Sequence, residues 1–277
     1  MIPIPFITEW KAFAPWKYEN MVEQDLIINR ALITIFSHPV LSAHLAFRGG
    51  TALHKIRLSP PARYSEDIDL VQMVPGPIGP IFDSIREVLL PFLGKPQRKQ
   101  GPGVVNMIFR MQSESPPVTP LRLKVEINSR EHFSVLGLEK SPFNVESRWF
   151  NGHCEIPIFR LEELLGTKLR ALYQRRKGRD LFDLWLGLTQ GHAEPMQIIQ
   201  CFHRYMSASG LRVTAREYLA NMESKMLNPE FLQDTDELLR DGILYSQTEA
   251  YDLLKRDVLS HLDDVGQSVR QKPNQNK

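Results

Sequence analysis

Cysteine is scarce in this chain: Cys154 and Cys201 are the only two in 277 residues. They cannot build a disulfide framework, so a reduced, cytoplasmic setting is expected. Long apolar runs are missing as well. No stretch approaches the roughly eighteen apolar residues of a membrane span, and no membrane partner is expected. The opening Met1-Ile2-Pro3-Ile4-Pro5-Phe6 has neither a basic segment nor a long apolar one, and is not expected to serve as a secretory signal. An excess of one charge is also lacking. Formal net charge is +2, so nucleic-acid binding would have to come from a local patch. His38, His44 and His54 lack partners at metal-ligand spacing, and His153-Cys154 is too sparse for a zinc site. Neither internal repeats nor low-complexity blocks occur.

What remains is the composition of a globular protein, 42% apolar and 24% charged, long enough for one large core or two modest ones. Apolar residues at helical spacing predict a helix over 20–37, ended by Pro39. A short strand over 44–47 enters a glycine turn, and a short helix over 51–57 is broken by Ser59-Pro60-Pro61. A strand over 67–71 and a helix over 81–90 follow. Further strands are predicted over 104–111, 121–128 and 145–150. Beyond Pro157 strand patterns vanish, and helices are predicted over 161–176, 180–189, 195–206, 215–226, 234–239 and 247–262. The shift predicts an α+β domain over 1–157, a helical domain over 158–265 and a frayed tail over 266–277.

The chemistry concentrates in Phe47-Arg48-Gly49-Gly50-Thr51-Ala52-Leu53 and Ser65-Glu66-Asp67-Ile68-Asp69-Leu70. On a strand, Asp67 and Asp69 project to one face while Ile68 and Leu70 face a core. Two adjacent carboxylates repel, and a shared divalent cation removes that cost. Hard oxygen ligands suit Mg²⁺ or Mn²⁺, often completed by substrate phosphates. Gly49, Gly50 and Thr51 suit close approach of backbone amides to a triphosphate. A third carboxylate, Glu126, shares a strand face with Arg122, Lys124 and Asn128. Beside the Asp pair it would complete a set able to hold two metals. Otherwise it is a solvated charge on an edge strand. Lys168 interrupts an apolar helix stripe of Leu161, Leu164, Leu165 and Leu172, and beside a triphosphate it would bind phosphate oxygens. Asp180 opens the next helix, where dipole stabilisation alone would account for it, and Asp183 is expected to pair with Arg175 or Arg179. Arg170, Arg175, Arg176, Lys177 and Arg179, with Arg48, Lys55, Arg57 and Arg63, form a candidate phosphate-lined cleft for an RNA acceptor. Arg179 is assigned with Lys168 to the nucleotide.

At Gly49-Gly50 and Asp67-x-Asp69 the chain resembles the DNA polymerase β-like nucleotidyltransferase superfamily. The longer match, 47–53, 63–70 and the Lys168/Arg179/Asp180/Asp183 block in that order, resembles the AbiEii/AbiGii toxin family over about 20–190. The gap from Thr51 to Asp67 is long for many polymerase β-like enzymes and suits the toxins. The resemblance implies a polymerase β-like domain with a mixed sheet, its active site completed by the helical domain. It implies catalytic Asp67, Asp69, Glu126, Lys168 and Asp180, with metals on the first three. It also implies transfer of NMP from an NTP to an acceptor hydroxyl in a toxin–antitoxin or phage-defence system. A tRNA 3′ end is the suggested acceptor, and an antitoxin encoded nearby the suggested partner. The rival expectations are transfer to a protein side chain or small molecule, and a catalytically inactive binding module.

Overall fold

Alternating apolar residues and one mostly buried helix build the first half of the chain. The computed structural model describes residues 2–264, so the tail predicted over 266–277 lies outside the described residues. Contacts divide the chain into two compact units. One takes in the chain through Phe159 together with Leu238–Ile243; the other takes Arg160–Glu237 and resumes at Leu244.

The first unit opens with α1 (Ile4–Trp10), α2 (Glu19–Phe36) and α3 (Pro39–His44). Then come β1 (Leu45–Arg48), α4 (Gly49–Ala52) with a π-helical turn over Leu53–Arg57, β2 (Asp67–Gln72) and α5 (Ile78–Leu93). Strands β3 (Gln97–Gly101), β4 (Val104–Gln112), β5 (Pro120–Asn128), β6 (Leu138–Glu146) and β7 (Asn151–Phe159) complete it. The seven strands form one mixed sheet in the order β3-β4-β5-β2-β1-β7-β6. β2 pairs parallel with β5 and antiparallel with β1.

One sheet face is apolar. Ile68, Leu70, Val105, Met107, Val125 and Ile127 alternate onto it and are all buried. Burying each is worth roughly 1.5–3 kcal/mol. α2 touches β2, β5, β6 and β7, and α5 touches β4. Buried polar groups on α2 are satisfied: Asp25 accepts from both indoles, Trp10 (3.0 Å) and Trp16 (3.1 Å), and pairs with Lys55 at 2.7 Å. Gln24 donates to the carbonyls of Glu66 and Arg122, tying the helix to the starts of β2 and β5.

The second unit is helical: α6 (Leu161–Gln174), α7 (Gly178–Thr189), α8 (Pro195–Ala208), α9 (Ala215–Met226), α10 (Pro229–Gln233) and α11 (Gln247–Asp257). A Cβ on Gly166 would lie 2.5 Å from Cys201 Cβ, so α6 and α8 approach closely at that point. Among the described residues, no helix is long and apolar enough to cross a membrane.

Three expectations change. The strand predicted over 145–150 straddles the turn between β6 and β7, where Ser147 and Phe150 hydrogen-bond to each other. β3 is fully exposed and polar, and β6 contains Pro142; both lie at sheet edges, where neither apolar alternation nor every backbone donor is needed. The helix predicted over 234–239 is absent, because backbone pairing outweighs local propensity there. Leu239 bridges Arg63, the Leu238 carbonyl accepts from the Tyr64 amide, and the Arg240 amide donates to Ala62.

Candidate active site

β1 leads into the glycine turn and β2 returns beside it, so Arg48 stands opposite Asp69. Gly49 adopts φ +82°, and a Cβ there would lie 2.0 Å from Asp69 Oδ2. Glycine is needed twice over, for the left-handed backbone and for the approach of a carboxylate. A Cβ on Gly50 would meet Arg63 Nη2 at 2.6 Å. Thr51 is buried; its hydroxyl donates to the Asp67 carbonyl and lies 2.9 Å from Ser65 Oγ. That hydroxyl is spent on anchoring the start of β2.

The parallel register sets Asp67 opposite Lys124 and Asp69 opposite Glu126. Opposed residues share a face, so these four side chains stand together on the face away from the core. Lys124 Nζ is 2.9 Å from Asp67 Oδ2 and 3.3 Å from Glu126 Oε2. Burial pushes the Asp67 carboxyl above its usual range; Lys124 and Arg122 oppose this and the Asp69 charge adds to it. Burial works against the Lys124 ammonium, but Asp67, Glu126 and Asp69 outweigh it and hold its pKa above the ordinary lysine value.

Asp67 Oδ1 is buried and has no hydrogen-bond partner among the described residues. An orphaned carboxylate oxygen beside a second carboxylate suits a hard divalent cation. The full set of three fits less directly. Among the described residues, no group of three or more His, Cys, Asp or Glu is arranged to hold a metal. The Lys124 ammonium stands between Asp67 and Glu126 and neutralises part of the charge that a divalent cation would otherwise offset. Sequence reasoning placed Lys124 on this face but did not give it that role. The i, i+2 spacing of Lys124 and Glu126 was the available signal.

The other predicted cations of this unit are committed to the fold. Arg48 pairs with Glu131 at 2.8 Å, and Glu131 is fixed by Asn128. Lys55 pairs with Asp25. Arg57 pairs with Glu139 and donates to the Phe159 carbonyl. Arg63 is buried and donates to the Tyr64 carbonyl.

In the helical unit, Lys168 sits buried between two fully buried carboxylates, 3.1 Å from Asp180 Oδ1 and 2.8 Å from Asp183 Oδ2. Arg175 grips Asp180 through Nε (2.7 Å) and Nη2 (2.9 Å). Burial by itself would raise the Asp180 pKa, but Lys168 and Arg175 outweigh it and hold the carboxyl below its usual range. Asp183 thus pairs with Lys168, while Arg179 turns to Asp234, its amide donating at 3.1 Å. α6 ends at Gln174 and Gly178 starts α7, so Asp180 lies in the first turn of that helix.

The family model described as "Nucleotidyl transferase AbiEii toxin, Type IV TA system" matches residues 30–273. No curated protein matches the chain. Among solved structures, MenT4, a nucleotidyltransferase toxin from Mycobacterium tuberculosis H37Rv, has a TM-score of 0.58 at 16% identity, covering 97% of this chain and 93% of that one. A candidate nucleotidyltransferase from H. pylori has a TM-score of 0.49 at 16% identity, covering 92% and 100%. At such identity the first likeness speaks for a shared mixed α+β fold alone, and the second is too low to argue from.

Proposed function

Because the chain belongs to the AbiEii family of nucleotidyl transferase toxins of type IV toxin–antitoxin systems, and is thereby an NTP-dependent nucleotidyltransferase with an antitoxin counterpart, we propose that it transfers a nucleoside monophosphate to a hydroxyl of an RNA acceptor and releases pyrophosphate. The observation that carries this reading is the register of β2 and β5, with Asp69 opposite Glu126 and tucked against Gly49.

In this reading Gly49, Gly50 and Thr51 form the turn that receives the triphosphate. Asp67 and Asp69 would hold the divalent cation, Mg²⁺ or Mn²⁺, whose chemistry when bound is to neutralise phosphate charge and acidify the attacking hydroxyl. Glu126 would serve beside them as a third ligand or as acceptor of the hydroxyl proton. Lys168, Asp180 and Arg179 enter the proposal on the family pattern. Lys168 and Asp180 belong to the buried ion cluster of the helical unit. The proposed setting is the cytoplasm, in growth arrest or phage defence, with a tRNA 3′ end as acceptor.

The test is incubation of the full chain with each α-labelled NTP, Mg²⁺ and total cellular RNA or total protein, followed by sizing of the labelled product. Labelled RNA of tRNA size is expected, and Asp69→Asn should abolish it without lowering the melting temperature, since it removes a charge from a repelling pair. Label on protein alone would replace the RNA reading. Retention of most transfer by Asp69→Asn would remove the assigned site.

A further inference from the structure

The sheet face that carries the carboxylates continues past them toward the β3 edge. Register determines what it displays. Arg110 of β4 stands directly opposite Arg122 of β5, Asn106 opposite Glu126, and Lys99 of β3 opposite Asn106. Opposed residues share a face and i, i+2 residues along a strand do likewise. Lys99, Asn106, Arg110 and Arg122 therefore lie on the face of Asp67, Asp69 and Glu126.

Lys99, Arg110 and Arg122 are exposed. Among the described residues none of the three forms an ion pair, in contrast to Arg48, Lys55 and Arg57 of the same unit. Like charges placed directly across a strand pair are destabilising. Such a cost in the interior strands of a sheet suits an anion that bridges them. Charge on an edge strand is a familiar guard against sheet-to-sheet pairing. That accounts for Lys99 on β3 but not for the arginines, because β4 and β5 are both paired on each side. Arg122 lies two residues before Lys124, which stands opposite Asp67, so the cationic row adjoins the carboxylates. A further unfilled group lies in the same row: Asn106 Oδ1 is buried without a partner among the described residues. A ribose hydroxyl could satisfy it.

We propose that Arg110 and Arg122, with Lys99 beyond them, form the track that binds the phosphodiester backbone of the acceptor RNA and leads its end toward Asp67 and Asp69. Strands are about 4.8 Å apart, so β4 and β3 lie roughly 10 and 14 Å from β2, within the span of a few nucleotides. The triphosphate of the NTP belongs instead to the glycine turn. This inference rests on the RNA-acceptor reading and adds the acceptor's path.

The test uses the full chain and a fluorescein-labelled single-stranded oligoribonucleotide, with binding followed by anisotropy across a salt series. Arg110→Gln with Arg122→Gln should weaken binding about tenfold or more and reduce the salt slope by about 1.4, the value for two phosphate contacts on a single strand. Arg110→Lys with Arg122→Lys should retain most of the affinity. The melting-temperature shift produced by Mg²⁺ and a non-hydrolysable NTP should be that of wild type in the Gln pair. That shift also shows that the Gln pair is folded. Unchanged RNA affinity in the Gln pair overturns the proposal, as does loss of the nucleotide shift with RNA binding intact. If wild type transfers NMP to protein and binds no RNA, both this track and the RNA reading fall. If wild type labels RNA and the Gln pair labels it equally well at limiting RNA, the track alone falls.

Discussion

Lys168 lies at 8% side-chain exposure between Asp180 and Asp183, both at 0%. A lysine in an apolar helix stripe can be seen in sequence. Its partners cannot, because they lie across a helix break and are chosen by packing. Removing one member of a buried ion cluster typically costs roughly 3–5 kcal/mol. Lys168→Ala is therefore expected to lower the urea midpoint clearly, and a midpoint matching wild type would contradict the cluster. Turnover measured well below the variant's melt then tells chemistry from stability. Lys225 supplies a pH test in the same unit. It is buried, and its ammonium donates to the carbonyls of Leu172 and Tyr173 at the end of α6. Burial brings its pKa down from 10.5 to about 8. Between those values the unfolded chain binds the proton and the folded chain does not, so stability rises with pH across that window. Relative to Lys225→Met, wild type should gain at most about 1.4 kcal/mol per pH unit from pH 8 to 10.5. Urea midpoints of both proteins at pH 7.5, 9 and 10 measure this, and a flat difference would refute it.

At the scale of elements, the β1–turn–β2 unit and the parallel β2–β5 pairing create the carboxylate site. Gly49 is where it is most sensitive. Gly49→Ala would combine an unfavourable positive φ with a methyl placed on Asp69 Oδ2. The backbone term alone is about 1–2 kcal/mol, and displacement of Asp69 should add to it. A lower melting temperature together with loss of the nucleotide-dependent shift is expected. A stable variant with a normal shift would separate the turn from the site. The strands that shape this site, β2, β4 and β5, were legible because each buries one face, so apolar residues alternate. The edge strands β3 and β6 carry polar residues or proline because only one side of each is paired, and periodicity cannot reveal them.

For the whole molecule, Mg²⁺ with a non-hydrolysable NTP should raise the melting temperature, since the pair binds the native state and not the unfolded one. The gain is about 2.7 kcal/mol at a hundredfold excess over Kd. Each component alone should do less, and a shift indifferent to Mg²⁺ would point to nucleotide binding without the carboxylates. The sequence by itself determined the α+β to helical progression, the glycine turn ahead of Asp67 and Asp69, the strand bearing Glu126 and the family to which they belong. These are local in origin: they follow from side-chain periodicity, turn chemistry and short-range spacing. Tertiary structure alone decided the pairing of β2 with β5, the ammonium of Lys124 between two carboxylates, and the return of Leu238–Ile243 to the first unit. It also decided which cations were spent on the fold and which were left exposed. Those choices turn on register and on partners far apart in the chain. A strand shifted by one residue would present the opposite set of side chains.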